Sequence, residues 1–258
     1  MNRRGNIIMT GKIILGLAVS FLAAGSAFAQ EGAALSNFVK GNSAYQEGQY
    51  DEAIQHYEAI LQSGSGSGAV LYNLGNSYFK KQKLGKALLN YERARQLIPR
   101  DGDLESNYHY ALSLVKKFSD APQKNWLERV WGDWLDYFSA DEWAWGTYAW
   151  LLIAAGVHLL SLWLKWPANV RRTAVSLLIF VWLAHGFAFL QKLDAAQRSA
   201  VAVAETKALY EPREESTVHF DVVEGGEVEL LKTEGDWAKV KRPDGKMGWV
   251  RREFVEKI

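Results

Sequence analysis

The chain changes its hydrophobic pattern three times. From Gly41 to Pro99, small, apolar and aromatic residues recur in a fixed order at helical spacing. From Trp126 to Phe138 the pattern is amphipathic. Trp126, Leu127, Val130, Trp131, Trp134, Leu135 and Phe138 share one side, while Glu128, Arg129, Asp133 and Asp136 lie on others. Ser139-x-x-Glu142 then reads as a capping box for a following helix. That helix, 143–164, contains no charge and is long enough to cross a bilayer, and a second apolar run follows at 173–190. After Ser199 short alternating stretches appear, punctuated by Gly225-Gly226 and Pro243-Asp244-Gly245, which predicts turns between strands.

The first segment repeats itself. GNSAYQEGQYDEAIQHY begins at Gly41 and GNSYFKKQKLGKALLNY at Gly75, so Gly41/Gly75, Ala53/Ala87 and Tyr57/Tyr91 align at a period of 34 residues without a gap. That period predicts two antiparallel helices per repeat. Gly41 and Gly75 fit where paired helices touch, with Ala53 and Ala87 opposite them. Tyr45, Tyr50, Tyr57, Tyr78, Phe79 and Tyr91 fill the spaces between layers, and Pro99 ends the second hairpin. Leu74, Gly75, Tyr78, Ala87, Tyr91, Ala94 and Pro99 together resemble the tetratricopeptide consensus. A helix from Asp103 to about Phe118, with His109 at the close-packing glycine position, reads as a cap on the stack. Ser63 to Gly68 reads as a flexible inter-repeat turn.

The resemblance places Asn42, Asn73, Asn76 and Asn107 on the inner helices, facing a peptide groove. An asparagine amide both donates to and accepts from an extended backbone. Phe38 and Asp103 stand where the family's carboxylate clamp has lysines, which argues against chaperone-tail binding.

The C-terminal segment, 199–258, resembles a bacterial SH3 domain through Ala208-Leu209-Tyr210, Gly235-Asp236-Trp237 and Gly248-Trp249-Val250. Tyr210, Trp237 and Phe254 match aromatic positions of the eukaryotic peptide groove, whereas Pro212 and Arg251 depart from it. The fold expected is therefore multidomain. It comprises an all-α tetratricopeptide array (34–118), an interfacial helix (123–138), a two-helix transmembrane hairpin and a C-terminal all-β SH3-like barrel.

Charge and composition then orient these parts. Arg3, Arg4 and Lys12 precede the apolar run Ile13–Ala24, and Ala27-Phe28-Ala29 ends a secretory signal pattern, so residues 1–29 are expected to be a signal peptide cleaved after Ala29. Lys165, Arg171 and Arg172 make the connection 165–172 positive, which places it in the cytoplasm and the repeats and barrel in the periplasm. Nine of the 11 Trp lie between Trp126 and Trp182, as residues at a membrane surface do. His158 and His185 are the ionisable groups within the spans. They are expected at different depths, hydrogen-bonding within a helix bundle. The net charge of +1 offers no general attraction to nucleic acid, and the absence of Cys excludes thiol chemistry. No metal or cofactor set and no catalytic constellation emerges, so an enzyme is not expected.

The order of parts, including Ser-x-Asp-Glu-Trp before the hairpin, resembles the BatE-like proteins of the Bacteroides aerotolerance operons. That resemblance implies an inner-membrane scaffold. Its partners would be membrane proteins with von Willebrand factor A-type domains and, through them, a MoxR-type AAA+ ATPase. A cell-wall adaptor whose SH3 module binds peptidoglycan is the alternative.

Overall fold

The computed structural model describes residues 30–115 and 125–258; the expected signal peptide lies outside them. Helix α1 covers 30–46. It is followed by α2 (Tyr50–Gln62), α3 (Gly68–Lys80), α4 (Leu84–Leu97) and α5 (Gly102–Leu114). Each repeat closes because its glycine lets a tyrosine in. A Cβ on Gly41 would stand 2.7 Å from the Tyr57 ring, and one on Gly75 would stand 2.6 Å from Tyr91. Tyr57, Tyr91, Ala53, Ala87, Leu74 and Leu88 are all buried in the resulting core. The serine-glycine turn is more ordered in purpose than its composition suggests. Ser67 caps α3 by accepting from the Val70 N–H, and Gly68 leaves room for Ile98. The capping helix α5 begins at Gly102 and ends at Leu114; the expected extension to Phe118 falls outside the described residues.

Helix α6 (Trp126–Tyr137) is as amphipathic as its sequence, and the first part of its apolar face is not covered: Trp126 is 68% exposed and Leu127 60%. Its first turn is closed by a capping box between Asn125 and Glu128, and that of α7 (Ala140–Trp163) by the one between Ser139 and Glu142. Helix α8 (Ala168–Arg198) is longer than the 173–190 run that announced it. Pro167 precedes it, as suits a helix start, so Arg171 and Arg172 lie in its first two turns rather than in a loop. The connection between the spans shrinks accordingly to Leu164–Pro167, with Lys165 in the left-handed region at φ 51°. Both α7 and α8 are long and apolar enough to cross a membrane. At 1.5 Å per residue α8 reaches about 46 Å, beyond the ~30 Å of bilayer hydrocarbon.

Trp143 ties these three helices together. It is 1% exposed. Its ring meets Trp134 edge-on at 4.7 Å, Phe138 at 5.9 Å and the His185 imidazole at 4.6 Å. Its Nε1 donates to the Leu135 carbonyl at 3.1 Å, and Lys192 donates to the same oxygen at 2.9 Å. Leu135 lies in the last turn of α6, where carbonyls lack helical partners, so a cation and an indole N–H from α8 and α7 cap it.

The β module starts directly after α8. Strand β1 (Ser199–Ala202) is followed by β2 (Thr206–Leu209), β3 (Val218–Val222), β4 (Glu227–Glu234), β5 (Trp237–Lys241), β6 (Met247–Arg251), a short 3-10 turn and β7 (Val255–Lys257). All pairs are antiparallel and the order is β3-β2-β6-β5-β4-β1-β7. Its core holds Ala202, Phe220, Val222, Val228, Val240, Val250 and Val255.

The module is packed on the repeats. Val201 of β1 is buried in the repeat core, joined by Val203 and Ile258. The Gly85 N–H, unpaired within the first turn of α4, donates to the Glu224 carboxylate at 2.9 Å. Arg93 donates to the Lys257 carbonyl at 3.1 Å through Nε. Gly225 adopts φ 77° and lies against Leu88 and Val115. A Cβ on Gly85 would stand 2.5 Å from the Ala202 carbonyl oxygen. Gly85→Ala is therefore expected to weaken this docking by about 1–3 kcal/mol. Faster limited proteolysis at the junction of repeats and β module, with unchanged far-UV circular dichroism, is the signature to measure.

Candidate binding surfaces of the repeats and the barrel

The four asparagines meet in two pairs. Asn73 Nδ2 donates to Asn42 Oδ1 at 3.0 Å, and Asn107 Nδ2 donates to Asn76 Oδ1 at 3.0 Å. Each acceptor oxygen is used twice, because the Tyr57 and Tyr91 hydroxyls donate to Asn42 and Asn76 at 2.7 Å. Asn107 also donates to the Tyr72 hydroxyl at 2.8 Å. The pattern follows from the period: the same bonds recur 34 positions on. Burial pushes the Tyr57 hydroxyl up to about 12, so it remains a donor at any physiological pH.

The amides thus hold adjacent helices together with one end. The Nδ2 groups of Asn42 and Asn76 have no protein acceptor among the described residues, and all four side chains are half-buried. A donor and an acceptor per pair remain for a ligand backbone, fewer than four free amides would offer. Tyr57 and Tyr91 were legible as packing residues; their role in aiming the asparagines was not. Its signal was the matched spacing of Asn42 to Tyr57 and Asn76 to Tyr91, fifteen residues in each repeat.

The aromatic positions of the β module do not form one ridge. Tyr210 is exposed and stacks on His219 at 4.2 Å. Trp237 is half-buried beneath Arg251, whose guanidinium lies 5.0 Å from the ring centre. Arg251 is itself ion-paired with Glu214 and lies 3.7 Å from Asp236. Phe254 sits in the 3-10 turn and is half-buried. No ring contact joins Tyr210, Trp237 and Phe254 among the described residues. A cation fixed over Trp237 occupies the place where a proline-rich peptide would lie.

A groove of about 1040 Å³ lies on the β module, with Arg251 on its lining. Leu230, Ala238 and Val255 form its apolar part, and Arg93 of α4 closes one side.

Family models match the parts on either side of the apolar hairpin: one described as Tetratricopeptide repeat over residues 44–115, the other as Bacterial SH3 domain over 211–256. The chain carries tetratricopeptide repeats and a bacterial SH3 domain. Comparison with curated proteins gives no match. The SH3 match begins after β1 and β2, so β1, the strand that enters the repeat core, lies ahead of it. The SH3 domain keeps its β5–β6 turn with a buried ion pair. Arg242 is 6% exposed; it pairs with Asp244, donates to the Asp221 carbonyl at 3.1 Å and lies over Phe220. Arg242 holds the Asp244 carboxyl down at about 2, below the usual aspartate value near 4.

His185 and His158 are in different situations. His185 Nε2 lies 3.2 Å from the Trp143 carbonyl and fits beside Gly146. The His158 side chain is exposed on the outer surface of the hairpin.

Two stability outcomes follow. Asn42→Ala removes the acceptor of two donors, including the hydroxyl of buried Tyr57, and is expected to cost about 1–3 kcal/mol; Asn73→Ala removes one bond and should cost about 0.5–1.5 kcal/mol. Urea unfolding of the two variants checks that order. Asp244→Asn removes the carboxylate that pairs with buried Arg242, at a cost of about 3 kcal/mol. The carboxyl has a depressed folded value, so the wild-type advantage is present above about pH 4 and is lost as pH falls towards 2. Thermal melts of both proteins across that range should converge at the acid end.

Proposed function

We propose that the protein is a non-catalytic membrane scaffold that captures a partner on the asparagine face of its repeats. The observation that carries this reading is the division of surfaces. The SH3 domain packs on α4 and the end of α5, whereas the asparagine pairs bond only within the repeats and stay half-exposed. The docked domain stiffens the array without blocking that face. The hairpin of α7 and α8 then fixes the array at the membrane. Arg100, in the turn after α4, pairs with Glu142 at the start of α7 and donates to the Tyr137 carbonyl at 3.1 Å.

In this reading Lys165, Arg171 and Arg172 mark the cytoplasmic end of the hairpin, and the repeats and SH3 domain stand in the periplasm. The uncovered tryptophan face of α6 lies in the outer interface, since it surrounds the same end of the hairpin as Trp143 and Lys192. The module order, similar to that of the BatE-like proteins, supports partners with von Willebrand factor A-type domains, with a MoxR-type AAA+ ATPase reached through them. The wall-adaptor reading is favoured by one observation, the groove between the SH3 domain and Arg93.

Affinity purification of the tagged full-length protein from its native membranes in mild detergent separates the two. Recovery of von Willebrand factor A-type membrane proteins, reduced by Asn76→Ala, is expected. Recovery of wall enzymes or peptidoglycan fragments, unaffected by Asn76→Ala, would make the adaptor reading the correct one.

A further inference from the structure

The groove on the β module has a wall made of strand edge. Leu230, Leu231, Lys232 and Thr233 of β4 all line it. Side chains alternate across a strand, so four consecutive lining residues mean that β4 lies edge-on to the groove. That edge is open. Strand β1 pairs with β4 only at 227–229, because the chain before Ser199 is helical and leaves along α8. From 230 to 234 the strand beside β4 is β5, and the main chain there bonds to no other element among the described residues. A bulge at Leu231 shifts the β4–β5 register and leaves that side chain 40% exposed. Ala200, Ala238 and Val255, all buried, form the apolar bottom of the groove.

The charge on the lining is unequal, with five basic and three acidic side chains. Most are paired: Arg93 with Glu256, Lys232 with Glu234, and Arg251 with Glu214 and Asp236. Arg252 and Lys257 are exposed and have no anionic partner among the described residues, against one unpaired acid, Glu253. Lys86 lies two turns before Arg93 on the same side of α4, so the positive surface continues onto the repeats.

These features select the occupant. An open edge offers main-chain donors and acceptors to an extended chain. A second copy of this edge fits poorly, since Lys232 would meet the same charge across the pair. Carboxylates complement the surface instead. We propose that the groove takes an extended acidic segment of a partner protein, which adds as a strand to β4 and sets its carboxylates against Arg252 and Lys257. Alternate apolar side chains of that segment face Leu230, Ala238 and Val255. Because Arg93 belongs to α4, the site is complete only while the SH3 domain is docked on the repeats. It is a second capture surface, distinct from the asparagine face, and it does not rest on the scaffold reading.

The probe is a fluorescent peptide of alternating glutamate and valine, titrated by anisotropy against the full-length protein in nanodiscs of neutral lipid. Saturable binding is expected. The same peptide methylated on its main-chain nitrogens keeps its charge but cannot donate to β4, and it should bind at least about tenfold more weakly. Arg252→Glu combined with Lys257→Glu should weaken the parent peptide by at least about tenfold as well. Both side chains are exposed, and an unchanged far-UV circular dichroism spectrum checks that this variant is folded. Asn76→Ala should leave peptide binding unchanged, which separates this surface from the asparagine face. Equal binding of the methylated peptide, or of the parent peptide to the charge-reversed protein, would overturn the proposal. So would absence of binding by the acidic peptide. If peptidoglycan stem-peptide fragments bind in its place and are lost in the charge-reversed protein, the groove is a wall site instead.

Discussion

The structure depends on the close approach of β1 to α4. Ser199 follows Arg198 with no linker, so the strand takes its direction from the long apolar helix α8. It pairs with β4 on one side and β7 on the other, and it places Val201 in the repeat core. Only a glycine at position 85 allows the Ala202 carbonyl to come this near the helix backbone. Burying one valine is worth about 1.5–3 kcal/mol, and the bonds of Gly85, Arg93 and Tyr108 add direction to it. Because β1 is shared between sheet, repeats and α8, a change at this contact is felt by all three.

A second set of contacts sits at the start of the apolar hairpin. Trp143, Lys192 and Leu135 hold α6 against the hairpin, and Arg100 ties the turn after α4 to Glu142. Together with β1 these contacts hold the repeats at two points. Proteins whose domains are joined by flexible linkers expect relative motion by default. Here the helix-to-strand passage and the shared core remove that freedom, and the asparagine face acquires a fixed orientation to the hairpin. A short array gains from this, since ordering its groove in advance lowers the cost of binding.

Much of this was legible in the sequence. The 34-residue period gave the helix pairs and the close approach at Gly41 and Gly75, though the rings of Tyr57 and Tyr91, expected between layers, are what fill it; Ser139-x-x-Glu142 announced the start of α7. The alternation after Ser199 gave the strands. What was not legible depends on distant parts. The second span appeared shorter because charge bounded the apolar run, whereas helical hydrogen bonding continues to Arg198. The asparagines appeared as free amides because periodicity places a residue on a face without saying what it already bonds. The docking itself left one trace: repeat two has Gly85 where repeat one has Asp51, a departure that makes sense only when another backbone approaches. The aromatic positions of the SH3 domain were read from order alone, whereas Arg251 covers Trp237 and is held there by an ion pair with Glu214 that spans 37 residues.

The central claim is that repeats, SH3 domain and hairpin form one rigid body. The chain has no cysteine, so an introduced pair can be spin-labelled without background. Labels at the exposed positions Gln55 and Glu215 place one probe on α2 and one on the SH3 domain. Double electron–electron resonance on the protein in lipid nanodiscs should give a single narrow distance. A broad distribution, of the kind that independently tumbling domains produce, would contradict the account.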